Sequence, residues 1–497
     1  MNSSISKALQ LPEILHAIAH WVPLFEHEPL TSPSDELEDV QTYTPHHLLS
    51  CTLVSRLWNT CFTPHLYHYF VDWNSGQCFL AFRKHNCHFR RYLSYRQGND
   101  QDRLPFETSF PPRYLVGLFV YGTYGSTSNL LLYNQGPQLR QLTWRGWLTV
   151  RDIDQVYQDA LANLPCLEEL ELSNWVLSNE LMYRILSGCA GTLRKLKLET
   201  VNGFDDGLFL YNNGSNSSGM GSRWVVPHMK SLRLQLGWTE PRITVLLPQL
   251  FPALESIYLA VDMEQHSIPQ LASILRENCP KLNTIHYEEG YSIAYEHGFF
   301  PEPEIYASLF KDSFSSPGLQ CATMALPDGL DHHMMEALLF HASTLVTLEM
   351  MCSLNNNSEN EHLFSATLEQ AGVLLTQCVN LKDFRLLNVY CSVQFLEGLL
   401  ITPWRCCGLE QLTIEGYESS DCIDHGVLQY ALQHHAYRDV GQGWFLKPSL
   451  DTSSFEEALI DGDLKHRLFE HMYTTSGIKH ATYVKLDKTE FFAQEQV

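Results

Sequence analysis

Two stretches decide how this chain is read: Leu167-Glu168-Glu169-Leu170-Glu171-Leu172 and, 26 residues later, Leu193-Arg194-Lys195-Leu196-Lys197-Leu198. In each, an apolar residue is followed three and five places on by two more, with charged residues between them. Such alternation predicts a short strand with one buried face. The pattern starts again at Leu115, Leu139, Met229, Leu254, Leu282, Leu319, Leu345, Leu381 and Leu409, which makes about eleven units over residues 114 to 416. Most spacings lie between 24 and 28 residues, and three are longer, at 36 or 37. The long ones contain turn-rich or polar insertions: Asn212 to Gly219, Glu288 to Glu304 and Asn355 to Asn360. Between strands the apolar spacing turns helical, as in Val156, Ala160, Leu161 and Leu164, or Leu271, Ile274 and Leu275.

A strand, a turn, an amphipathic helix and a return to a parallel strand in about 26 residues is the plan of a leucine-rich-repeat solenoid. The predicted fold is therefore α/β, a horseshoe with parallel strands on its concave face and helices outside. Several units carry a cysteine just before the strand, at Cys189, Cys279, Cys378 and Cys406-Cys407. This resembles the cysteine-containing repeat class that commonly follows an F-box.

The N-terminal 72 residues have a different character. Leu11, Ile14, Leu15, Ile18 and Val22 form the stripe of an amphipathic helix, with Pro12 in its first turn, where a missing amide is tolerated. A second block from Leu48 to Trp58 reads as one helix with Leu49, Leu53 and Leu57 in one row and Val54, Trp58 and Cys61 in another. A third piece runs from Pro64 to Phe70. Three helices this small cannot bury so much apolar surface among themselves, so a face is left for a partner.

The order Leu11-Pro12-Glu13-Ile14-Leu15, then Leu49 to Trp58, then Pro64 to Tyr67 is similar to an F-box. The resemblance implies a small all-α module docking on the Skp-type adaptor, and through it a cullin, of a ubiquitin ligase. It assigns adaptor binding to Leu11, Pro12, Ile14, Leu15, Ile18, Leu49, Leu53, Val54, Trp58, Leu66 and Tyr67. Residues 24 to 45, with six acidic groups and no Lys or Arg, read as a disordered acidic loop between the first two helices. Residues 73 to 113 read as a basic linker, a solvated helix and loop. Residues 417 to 497 read as a C-terminal cap, in which 479 to 488 imitate one last strand.

Composition narrows the function classes. Against 33 Lys and Arg stand 56 Asp and Glu, a formal charge of -23, which disfavours nucleic acid and anionic membranes as partners. No apolar run suits a signal peptide or a membrane span. Fourteen cysteines with no C-x-x-C pair fit a reduced compartment, hence the cytosol or nucleus. No catalytic motif is present, so neither an enzyme nor a cofactor is expected. The paired histidines at 46-47, 332-333 and 434-435 should point their rings apart rather than at one metal.

The third, fifth and seventh places of each strand should face the concave side, where a target would bind. Candidates are Arg145, Glu169, Glu171, Lys195, Lys197, Arg233, Tyr258, His286, Glu349 and Arg385, with Trp147 just past the end of its strand, a set mixed in sign and therefore suited to a protein partner. The expected function is the substrate-recognition subunit of an SCF-type cullin-RING ubiquitin ligase. The alternative is a non-catalytic leucine-rich scaffold that binds a protein without a ligase.

Overall fold

The computed structural model describes residues 9–22, 25–27, 41–43, 46–66, 69–71, 90–94, 115–121, 132–149, 155–213, 224–235, 241–260, 263, 265–288, 302–326, 329–352, 370–390, 405–406, 408–417 and 480–486. The chain divides into two compact units, Met1–Tyr211 and Asn212–Val497. The division falls at the insertion that begins at Asn212.

In the first unit a helical bundle precedes a parallel sheet. The helices are Pro12–Trp21, His46–Thr52 and Arg56–Leu66. Leu15, Ala19, Leu48, Cys61 and Phe62 form the bundle core, with Ile18, Val22, Cys51, Leu57 and Trp58 packed against it. The Trp58 and Phe62 rings stack at 5.1 Å, and the Trp58 indole donates to the Leu9 carbonyl at 3.3 Å.

Three expectations change here. The block from Leu48 to Trp58 is two helices, because Ser55 Oγ accepts the Trp58 amide at 3.2 Å and starts a new helix at Arg56. The ends of the acidic segment pair as an antiparallel ladder, Phe25–His27 (β1) with Gln41–Tyr43 (β2), while residues 28 to 40 lie outside the described residues. Tyr69–Val71 (β3) is a strand rather than helix, and it pairs with Arg91–Ser94 (β4), inside the segment read as solvated helix and loop.

The sheet of the first unit continues in parallel, in chain order, through Gly117–Tyr121 (β5), Gln141–Thr149 (β6), Glu169–Val176 (β7) and Lys195–Glu199 (β8). Register places Leu118, Leu142, Leu170 and Leu196 side by side, with Val120, Trp144, Leu172 and Leu198 in the next row. All eight are buried. The helix Asn179–Gly188 closes over this layer with Leu181, Met182, Ile185 and Leu186, and Ser178 caps its N-terminus by accepting the Leu181 amide.

The second unit repeats the scheme in Ser231–Gln235 (β9), Ser256–Ala260 (β10), Thr284–Glu288 (β11), Cys321–Leu326 (β12), Thr347–Cys352 (β13), Asp383–Tyr390 (β14), Gln411–Tyr417 (β15) and His480–Leu486 (β16). Each pairs in parallel with the next. The row Leu232, Ile257, Ile285, Ala322, Leu348 and Phe384 is buried in register, as is the row Leu234, Leu259, Tyr287, Met324, Met350 and Leu386. The helix Pro303–Lys311 packs Tyr306 and Phe310 on this layer, with the Tyr306 ring 5.1 Å from Tyr287. The eleven predicted strands are all present, β16 falls where residues 479 to 488 read as one last strand, and β3 and β4 add to them. Parallel strands covered on one side by helices, one unit per 24 to 37 residues, make this a leucine-rich-repeat α/β solenoid.

The turn from helix into strand has its own device. Cys189 and His341 each stand four residues before a repeat leucine, and both are fully buried. Thr192 and Thr344, one residue before the same leucines, donate to the Leu167 and Leu319 carbonyls of the preceding unit, each at 2.8 Å. His341 uses both ring nitrogens: Nδ1 accepts the Gly318 and Leu319 amides at 3.2 and 3.3 Å, and Nε2 donates to the Phe310 carbonyl at 2.9 Å. The sequence pattern of cysteines before strands therefore has a histidine variant that was not expected.

Candidate protein-binding surfaces

On the bundle, the spare apolar face predicted from sequence is present. Leu11, Leu49, Leu53 and Val54 are 49%, 46%, 79% and 62% exposed. Leu49 and Leu53 lie one turn apart at the end of the second helix, and Val54 follows them. Pro12 is exposed and Ile14 half-buried. Leu15 is buried at 0%, and Ile18 and Trp58 pack on the same core, so these three support the surface from beneath instead of forming it. The side chain of Leu66 and the whole of Tyr67 lie outside the described residues.

The outer sheet face of the first unit brings the predicted charges together, and most of them satisfy one another. Arg145 reaches Glu171 through Nη2 at 2.7 Å and Nε at 2.8 Å. Lys197 pairs with Glu171 at 3.3 Å and with Glu199 at 2.7 Å, and Ser173 Oγ donates to Glu199 at 3.1 Å. Lys195 pairs with Glu169 at 3.0 Å near the rim, and Gln141 Nε2 donates to the same carboxylate at 3.1 Å. The Arg145 guanidinium lies over the Tyr121 ring at 5.6 Å.

Parallel register explains the alternation of sign, since Thr143, Glu171 and Lys197 are direct neighbours across three strands. Side-chain exposures of 26%, 21%, 19% and 10% for Arg145, Glu171, Lys197 and Glu199 show a largely covered network. Burial would raise the Glu199 carboxyl, but the Lys197 hydrogen bond and charge, with Arg145 and Ser173, hold it below its ordinary range. Burial would likewise lower Arg145, but Glu171 and Glu199 raise it. Glu171, expected on the concave face as a target contact, is instead enclosed by two cations of its own sheet. The side chain of Trp147, which lies within β6 rather than past its end, is outside the described residues.

In the second unit the equivalent face is less charged. The Arg233 guanidinium lies 4.0 Å from the centre of the Tyr258 ring, and the Tyr258 hydroxyl donates to Glu288. The His286 ring sits 6.1 Å from Tyr258 and shares a 2.7 Å hydrogen bond with Thr323. Burial, with the Arg233 charge, lowers the His286 pKa against the opposing pull of Glu288, so the imidazole is neutral near pH 7. Arg385 is held by Asp383 of its own strand through two bonds at 3.0 and 3.2 Å, and it reaches Glu349 at 3.4 Å. Burial raises the Glu349 carboxyl, aided by Asp383 and Glu288 and opposed by Arg385.

Tyr121, Ser173 and Glu199, absent from the sequence-based candidates, all occupy the seventh place of their repeats, as Glu288 does. Applying the seventh-place rule to every repeat finds them.

Among the described residues no group of three or more His, Cys, Asp or Glu is arranged to hold a metal ion, and no helix is long and apolar enough to cross a membrane. The His332 and His333 rings do not splay as expected but lie 3.8 Å apart. The cysteines before the strands are packing groups. Cys189, Cys279 and Cys378 are buried, and burial pushes each thiol up to about 12.

No family model matches the sequence, and no curated protein matches it. Among solved structures the chain is similar to an internalin from Listeria monocytogenes, with 13% identity, a TM-score of 0.28, and coverage of 57% of this chain and 70% of that one. The assignment of the fold rests on the strand register and the buried leucine rows.

Proposed function

We propose that this chain is the substrate-recognition subunit of an SCF-type cullin-RING ubiquitin ligase, working in the cytosol or nucleus. The observation that carries the reading is a three-helix bundle that keeps its own core while leaving Leu11, Leu49, Leu53 and Val54 exposed. Fully burying apolar side chains of this size is worth about 1.5 to 3 kcal/mol each, so covering them gives a partner a strong anchor. The residues are those the F-box resemblance assigns to the Skp-type adaptor.

The receptor does no chemistry in this scheme. Bound to its adaptor, it holds a target protein on the outer sheet face and raises the effective concentration of a target lysine near a loaded conjugating enzyme. The two-unit repeat fold supports the coarser part of the reading, a protein-binding scaffold. Tyr258 and His286, though bonded to Glu288 and Thr323, are the preferred target contacts, because aromatic rings dominate interface energetics.

Affinity capture from cell extract tests the proposal. The full chain should retain adaptor and cullin, and Leu53→Asp with Val54→Asp should lose both while its far-UV circular dichroism stays unchanged. Capture of neither by the unmodified chain would leave the competing reading, a scaffold without a ligase.

A further inference from the structure

We propose that His16 and His65 form a zinc site that ties the first helix of the bundle to the third. His16 Nδ1 and His65 Nε2 are 3.2 Å apart across two helices, although the residues are 49 positions apart in sequence. Their rings are tilted by 47° with centroids 5.5 Å apart, so they meet at their edges rather than stacking. Zinc holds imidazole nitrogens at about 2.0 to 2.1 Å, which at a tetrahedral angle separates two of them by about 3.3 Å. The observed separation matches that bite.

The contact is solvent-exposed, so a small rotation of either ring can aim both lone pairs at one ion without disturbing the core. Imidazole suits zinc, and water supplies the remaining coordination, because among the described residues no third ligating side chain completes a cluster. The ligand is therefore a divalent cation held by two protein nitrogens and open to solvent. Binding it joins Pro12–Trp21 to Arg56–Leu66, the first and third helices of the bundle. The inference is independent of the adaptor proposal, since it concerns only the geometry of the bundle.

The test uses the full metal-free chain titrated with zinc chloride in a calorimeter, beside His16→Gln and His65→Gln. The strongest site should weaken at least tenfold in either variant, and weaker binding by the remaining histidines should not change. Zinc should also raise the thermal midpoint of the unmodified chain and move neither variant. A measurement without substitution guards against a variant that fails to fold: zinc should protect both His16 and His65 from diethyl pyrocarbonate, read by mass spectrometry. Equal modification of the pair with and without zinc, or identical isotherms for the unmodified chain and both folded variants, would overturn the proposal.

Discussion

His341 gives a sharp energetic test of the repeat architecture, because one buried ring serves three backbone groups of the preceding unit. In His341→Phe the volume stays filled, but the Phe310 carbonyl and the Gly318 and Leu319 amides lose their partner in a site with no solvent access. An orphaned buried polar group costs about 1 to 3 kcal/mol, so the lower end for three groups is about 3 kcal/mol. His341→Gln can both accept and donate, and it should recover part of that loss.

The effect carries a pH signature. Burial lowers the His341 pKa in the folded chain, although its bond to the Phe310 carbonyl pulls the other way. The unfolded chain, with its imidazole near pH 6.5, therefore takes up a proton that the folded chain refuses. The contribution is fully present above about pH 6.5 and declines as the pH falls below that value. Urea unfolding of the unmodified chain and His341→Phe from pH 8 to pH 5 isolates it, since the other histidines cancel in the difference. Exchange of the Gly318 and Leu319 amides reports the same event locally. Equal stability at pH 8, or a difference that does not shrink below pH 6.5, would refute the reasoning.

Other expectations follow from burial and pairing. Truncating Leu170 or Leu172 to Ala, both nearly inaccessible, should cost about 2 to 5 kcal/mol in denaturant unfolding. Glu171→Ala should cost about 1 to 2 kcal/mol, because it leaves Arg145 and Lys197 facing each other, whereas Glu169→Ala at the rim should stay within about 0.5 kcal/mol. Leu15→Ala should melt the bundle earlier while Leu53→Ala should not, given exposures of 0% and 79%. Under native alkylation with iodoacetamide at pH 8, among the described cysteines Cys166, whose thiol is exposed, should be labelled first, and Cys189, Cys279 and Cys378 should stay unmodified until the chain unfolds.

The repeat strands were legible because a half-buried strand writes its two faces into alternate residues, and eleven copies of that signature reinforce one another. The start of the sheet was harder to read. Tyr69–Val71 and Arg91–Ser94 are short, and each is fixed as a strand by the neighbour it pairs with rather than by its own pattern, whereas His480–Leu486 falls where residues 479 to 488 read as a last strand. The break between the helices His46–Thr52 and Arg56–Leu66 lay within a continuous apolar run, and only the Ser55 cap marks it.

The sequence by itself determined which residues go inside, and therefore the repeat class, the strand positions and the spare apolar face at Leu11, Leu49, Leu53 and Val54. It also placed most of the outer-face charges on one side, because an alternating strand allows them only one side, but it passed over Glu199. What those charges do was decided by tertiary structure. Parallel register sets Glu171 between Thr143 and Lys197 and within diagonal reach of Arg145, and turns an outer face into an ion network. The His16–His65 contact and the His341 clamp have the same origin. A pairing between side chains distant in sequence depends on how whole elements stack, and no local pattern of polarity records it.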